Sequence, residues 1–244
     1  MLSDKDKAYY AWQLNVPGFG VEGQEKLRNA TALVSRVGGL GGPLAFSLAA
    51  AGFGKIILAH SGELREDDLN RQILMKHDGL GGARHEQAAE TLRRFNPDVD
   101  VESVGENISE GNVVGLVEQA DVVFSCAPLF EERLLMNREA VRQKKFLVDG
   151  AMFNMEGQVL AVKGGETACL ACLVDEPPEH WQRRFPVIGA LSAMMAQIAA
   201  LEGIKMLTGL GESQVDKLIH VDALTMNMRK IKVRRNPHCK HCKV

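Results

Sequence analysis

The chain has 244 residues, a quarter of them charged, and a formal net charge of -2. That length accommodates one large α/β domain, or a domain with a small annex. The balanced charge excludes a general attraction to nucleic acid or to an anionic membrane surface, and no apolar run reads as long enough to span one.

The first residues, MLSDKDKAYY, are charged and lack the apolar core of a secretory signal, so a cytoplasmic protein is expected. Residues 1–30 read as a helical lead-in whose apolar anchors are Trp12, Leu14, Val16 and Phe19, broken by Pro17-Gly18. Ala32–Val37 reads as a buried strand that runs into a glycine turn and then a helix, Pro43–Ala51. A strand that restarts as a helix through glycines makes an anion seat, because free N–H groups and the helix dipole attract negative charge. The dinucleotide fingerprint G-x-G-x-x-G would put glycines at 36, 38 and 41; Gly38 and Gly41 fit, but position 36 is Arg36.

A second buried strand, Lys55–Ala59, ends in His60-Ser61-Gly62, and a polar loop over 63–82 carries Asp68, Asn70, Arg71 and Gln72. Next come a helix at Ala83–Phe95, a strand at Val99–Val104, a short helix at Glu110–Gln119 and a strand at Asp121–Cys126. A helix at Glu131–Lys144 and a strand at Lys145–Asp149 follow. Strands alternating with helices predict a Rossmann-like, mostly parallel sheet with helices on both faces. The pattern then changes. Gln158–Val162 reads as a strand, Val174–Pro186 as a crossing loop, Val187–Leu207 as a long helix whose methionines fill core, and Lys217–Val221 with Met226–Val233 as an antiparallel hairpin.

Five cysteines do not make a disulfide framework. Four form two C-x-x-C pairs, Cys169 with Cys172 and Cys239 with Cys242. Two such pairs complete a tetrahedral thiolate site, so a structural zinc is expected to staple the C-terminal tail to the middle of the chain. Redox or unpaired thiols are the alternative, and His238 and His241 are candidate substitute ligands. Cys126 reads as a buried thiol rather than a nucleophile, since nothing near it in sequence would lower its pKa.

In doubly wound sheets, ligands lie beyond the carboxyl ends of the strands. That rule gathers Gly38, Gly39, Gly41, Gly42, Arg36, His60, Asn70, Arg71, Gln72 and Arg84 as candidates for a nucleotide or anion pocket. A solvated loop at 70–72, a surface role for Arg84 and a strand-end polar role for His60 are the bland readings. A nicotinamide dehydrogenase would need a carboxylate where His60 stands.

The glycine turn, DLNRQ (Asp68–Gln72), MEGQ (Met155–Gln158), IKMLTG (Ile204–Gly209) and the split cysteine pairs occur in this order in one superfamily. The chain resembles the ThiF/MoeB/HesA group, bacterial relatives of ubiquitin-activating enzymes, over nearly its whole length. The resemblance implies a single domain over 1–244: a lead-in to 30, a nucleotide-binding-type core over 31–165, and a segment over 166–244 holding the crossing loop, long helix, hairpin and zinc tail. It further implies a homodimer that uses ATP and magnesium to adenylate the carboxyl terminus of a ubiquitin-like sulfur carrier.

The adenylation residues are depleted, however. Pro128 and Ser125 replace the aspartates of D-C-T-D, Trp12 stands where an arginine is lent across the dimer, Arg84 replaces the phosphate-facing lysine, and the crossing loop has no thioester cysteine. Losing one such group typically costs roughly a hundred- to a thousandfold in rate. The departures look like those of the HesA branch, as in VSRVGGLGG (Val34–Gly42), LAH (Leu58–His60) and CAPLFEERLLMNREAVRQ (Cys126–Gln143). That branch implies an accessory role in maturing the nitrogenase metallocluster, in partnership with cofactor-assembly proteins. The pocket is then expected to be rebuilt for an oxyanion such as molybdate or for a nucleotide in another pose. A divergent adenylyltransferase and a non-catalytic scaffold are the alternatives.

Overall fold

The computed structural model describes residues 1–243; the last residue of the expected domain, Val244, lies outside the described residues. Three short helices, α1 (Asp4–Tyr9), α2 (Ala11–Leu14) and α3 (Gly20–Arg28), precede β1 (Thr31–Ser35), α4 (Gly41–Ala51) and β2 (Lys55–Ala59). Then come α5 (Arg84–Phe95), β3 (Asp100–Val104), α6 (Val113–Gln119), β4 (Val122–Ser125), α7 (Phe130–Arg142), β5 (Phe146–Phe153) and β6 (Glu156–Lys163). The chain closes with α8 (Gly189–Thr208) and the hairpin β7 (Lys217–Asp222) and β8 (Asn227–Lys232).

The eight strands form one sheet in the order β3-β2-β1-β4-β5-β6-β7-β8. Pairings from β3 through β5 are parallel, and those from β5 through β8 are antiparallel. The expected architecture therefore holds. Side chains alternate between two covered faces. Val34, Ile56, Leu58 and Phe124 pack with Leu44, Leu48, Leu92 and Met195 of α4, α5 and α8. Leu33, Ile57 and Val123 pack with Val117 and Met136 of α6 and α7 on the opposite side. Burial on both faces is why these strands read as continuous apolar runs.

β1 lies between β2 and β4, so the strand order reverses there and the carboxyl ends of all three open on one crevice. β1 stops two residues before the expected Val37 because Arg36 turns the chain with φ +62°. β5 runs past the expected Asp149: beyond Ser125 it loses β4 as a neighbour but continues against β6 as far as Phe153.

Two expectations are corrected. Of the four lead-in anchors only Phe19 is buried; Trp12 is 93% exposed on a helix of a single turn, and Leu2, Tyr10 and Leu27 seat the segment instead. One apolar helix, α8, does have the length and composition to cross a membrane. Its small residues pack against β4, β5, β6 and α4, which is the role of a core helix, and Gly203 leaves room for the Phe124 ring.

Candidate functional site

A cleft of about 560 Å³ opens at the carboxyl ends of β1, β2, β4 and β5. It collects Arg36, Gly38, Gly39, His60, Asn70, Arg71, Gln72 and Arg84 from the expected set. Gly41 and Gly42 do not line it. They are buried in the first turn of α4, where a Cβ on Gly41 would stand 2.3 Å from the Arg36 carbonyl oxygen. The smallness of Gly41 lets helix and turn close up, which is a packing role, whereas a side chain at Gly42 would meet only ordinary contacts.

Arg36 does not reach the cleft as a free cation. Its guanidinium is buried and donates through Nε (2.8 Å) and Nη2 to the buried carboxylate of Glu132, in the first turn of α7. The next residue, Arg133, repeats the arrangement with opposite sign. Its Nε and Nη2 donate to Asp149 at 3.0 and 2.6 Å, and its guanidinium stacks 4.5 Å from the centroid of the Phe130 ring. Burial alone would lower the Arg133 pKa, but the Asp149 carboxylate prevails and raises it. Ser125 Oγ donates to Asp149 as well, at 2.8 Å. Two consecutive residues of α7 thus neutralise Arg36, just past β1, and Asp149, where the pairing of β4 with β5 ends. None of these four partners except Arg36 was expected at the site. The available signal was the Glu132-Arg133 dipeptide directly after a buried strand, facing strand-end charges that need partners.

The expected magnesium does not fit these residues. Asp149 is engaged by Arg133 and Ser125, and Pro128 offers no side-chain oxygen. A hard divalent cation needs several oxygen ligands, and among the described residues both carboxylates of this corner, Glu132 and Asp149, are bound to arginines.

The opposite side of the cleft is basic. Seven arginines line it, and two are neutralised as above. The remaining five, Arg65, Arg71, Arg84, Arg183 and Arg184, share two lining carboxylates, Asp67 and Asp68. Buried Asp68 lies 3.2 Å from Arg71, 3.7 Å from Arg84 and 4.0 Å from Arg65. Asp67 lies 3.4 Å from Arg65 and 3.9 Å from Arg184. Arg71 is held across the glycine turn, its stem against Gly39, with Asn70 Oδ1 accepting from Nη1 at 3.0 Å. Arg84 donates through Nε to the Glu63 carbonyl at 2.8 Å, and burial lowers its pKa.

His60 is 3% exposed and meets Arg84 Nη1 through Nε2 at 3.4 Å. Arginine can only donate, so Nε2 accepts and the ring proton resides on Nδ1. Among the described residues that buried Nδ1 has no partner, and neither does Gln72 Oε1. Burial, then the positive charges of Arg84, Arg36, Arg183 and His85, lower the His60 pKa to about 3. The fold therefore holds His60 neutral, and between pH 6.5 and 3 the unfolded chain binds the extra proton. Stability falls as pH drops through that window, by up to about 1.4 kcal/mol per pH unit. Urea midpoints measured from pH 7 to pH 4 should fall less steeply in His60→Asn; parallel curves for the two proteins would show that His60 titrates normally.

Cys126 lines the cleft. Burial and the Asp149 charge both raise its pKa, consistent with an inert thiol.

The second site lies on the α7 side of the sheet. The Sγ atoms of Cys169, Cys172, Cys239 and Cys242 all lie within 4.8 Å of one another, with 3.7 Å between Cys169 and Cys239 and 3.4 Å between Cys172 and Cys242. Sulfurs at the corners of a tetrahedron around zinc are about 3.8 Å apart. The backbone N–H of Asn236 donates to Cys172 Sγ and that of Cys242 to Cys239 Sγ. These four cysteines fit a metal such as zinc. His241 Nδ1 faces the Asn137 amide at 2.8 Å instead, and His238 is exposed, so neither belongs to the set.

Residues 10–243 match the ThiF family. Protein HesA of Leptolyngbya boryana is 45% identical over 241 residues, covering 99% of this chain and 87% of that protein. The adenylyltransferase and sulfurtransferase MOCS3 of Drosophila sechellia is 33% identical over 99% of this chain, which spans 54% of that longer protein. The crystal structure of E. coli MccB with MccA-N7isoASN superposes with a TM-score of 0.86 at 21% identity, over 98% of this chain and 75% of that one. Sequence and architecture agree: the chain belongs to the ThiF family, in its HesA branch.

Proposed function

We propose that this chain is a HesA-type accessory protein of nitrogenase metallocluster maturation that holds an anion, an oxyanion such as molybdate or a nucleotide phosphate, in the cleft. The observation that carries the reading is the excess of five arginines over two carboxylates around a neutral, buried histidine. Guanidinium groups gathered in excess of carboxylates around one cleft favour an anion that balances their charge. In this reading the protein is cytoplasmic, works as a homodimer with cofactor-assembly proteins, and carries a structural zinc on the four cysteines.

The test is calorimetry of molybdate, ATP and AMP binding to the purified protein. Arg84→Ala should weaken whichever anion binds by about ten- to a hundredfold, as expected for one charge-assisted contact. Absence of binding by all three anions would sink the reading and favour the scaffold. A second reading, a divergent adenylyltransferase acting on a ubiquitin-like sulfur carrier, has one favouring observation: Arg71 and Gln72 of the DLNRQ stretch line the cleft. Carrier-dependent exchange of pyrophosphate into ATP would establish it, and the spent magnesium corner argues against it.

A further inference from the structure

The crossing loop does not simply pass over the cleft; it is pinned on both sides of a pair of arginines. On the near side, Trp181 Nε1 donates to the Pro128 carbonyl at 2.6 Å, and its ring packs on Phe130, Phe185 and Phe153 at centroid distances of 5.2, 5.6 and 6.0 Å. On the far side, the Asn154 N–H donates to the Pro186 carbonyl at 2.7 Å, beside a bridge between Asn154 and Val187. Arg183 and Arg184 lie between these pins, and both line the cleft.

The two arginines differ. Arg184 lies 3.9 Å from Asp67. Arg183 makes no ion pair among the described residues, and its charge bears on both His60 and Arg84. It is an exposed guanidinium lining the same cleft as Arg84 and as His60, whose buried Nδ1 has no partner among the described residues. Like charges converging without a counterion repel. A loop fastened so as to bring them together makes sense when a ligand supplies the opposite charge.

Resting on the anion-binding reading above, we infer that His60, Arg84 and Arg183 form the seat of a tetrahedral oxyanion bound without a divalent cation, with Arg183 serving as the contact contributed by the crossing loop. The donors are of one kind: guanidinium N–H groups and a neutral imidazole N–H, which match the oxygens of a tetrahedral anion. The carboxylates that would bring a metal to such an anion are already bound to arginines. The same chemistry fits free molybdate, inorganic phosphate and the terminal phosphate of a mononucleotide. The seat lies at the end of β2, away from the glycine turn where the fingerprint alone would place it.

The test is calorimetry on the whole chain with molybdate, inorganic phosphate, AMP and ATP, each in EDTA and again with magnesium. Because Arg183 is exposed, Arg183→Gln should leave the fold intact. The expected result is binding of at least one probe in EDTA, unchanged by magnesium and weakened about ten- to a hundredfold in Arg183→Gln. Arg229→Gln on the far strand β8 should bind as the wild type does. Which probe binds tells free oxyanion from nucleotide. Limited trypsin digestion gives a second reading: cleavage after Arg184 should slow when the anion is added to the wild type. Wild-type affinity in Arg183→Gln, or binding only with magnesium, would overturn this seat while leaving an anion-binding protein. Failure of every probe on the wild type would remove the anion-binding reading itself.

Discussion

Cys239→Ser should strip the chain of its metal and loosen its C-terminal tail. Purified wild-type protein is expected to carry one zinc per chain, and the variant less than a tenth of that. The sulfurs converge from two segments seventy residues apart, Cys169 with Cys239 and Cys172 with Cys242. Both parts sit in the core: Cys169, Cys239 and Cys242 pack with Leu170, Val233 and Met136 on the α7 face of the sheet. Losing the metal would leave thiols crowded without a partner and the segment after β8 without its anchor. Structural zinc binds zinc-finger peptides with roughly 10–16 kcal/mol, an upper limit for a site in a domain that has a core of its own. A loss of about 5 kcal/mol is a reasonable expectation here, a fall in melting temperature of roughly 10–20 °C for a chain of this size. Trypsin should then cut in the basic stretch Arg234–Lys243 before it cuts the α/β core. Wild-type protein with far less than one zinc per chain, or a variant that melts with it, would remove the metal from this account.

The second large effect concerns the buried pair between Arg36 and Glu132. Glu132→Ala leaves Arg36 buried without a carboxylate, and breaking such a pair by removing one partner typically costs about 3–5 kcal/mol. Arg36→Gly should cost nearly as much, because it strands Glu132, although glycine suits the φ of +62° better than arginine does. The double variant Arg36→Gly/Glu132→Ala should be more stable than either single one, since no charge is left unpaired. A coupling of roughly 3 kcal/mol in a urea double-mutant cycle is expected. Additive losses would mean that the pair is solvated and that Arg36 is free to meet a ligand. The outcome therefore also tests whether the glycine turn or the His60 corner is the cationic part of the cleft.

That division between turn and corner was not legible in the residues alone. Patterning located every strand of the sheet: the central strands are buried on both faces and so apolar throughout, while edge strands such as β3 and β8 are only partly buried or exposed. The C-x-x-C pairs announced their own meeting, since thiolate spacing carries its chemistry locally. His60, Arg71, Gln72 and Arg84 could be gathered by the rule that ligands lie beyond strand ends. Arg183 was not assigned to the pocket, because the crossing loop brings it there from a distant part of the chain; Arg65 and Asp68 were passed over although they share the 63–82 loop with Arg71. Trp12 illustrates the converse: an apolar side chain in a plausible helix, yet exposed, on a single-turn helix that packs on α1 and α3 without covering it.

The sequence by itself determined the class of sheet, the cysteine staple and membership of the family, all of which rest on patterns repeated along the chain. Only the tertiary structure decided what each charge does. Arg36, just past β1, and Arg84, at the start of α5, look alike as basic residues near the strand ends. One is consumed by Glu132, ninety-six positions away, while the other faces the cleft beside a neutral histidine. A charge's role depends on which opposite charge the fold brings within a few ångströms, and sequence separation does not encode that distance.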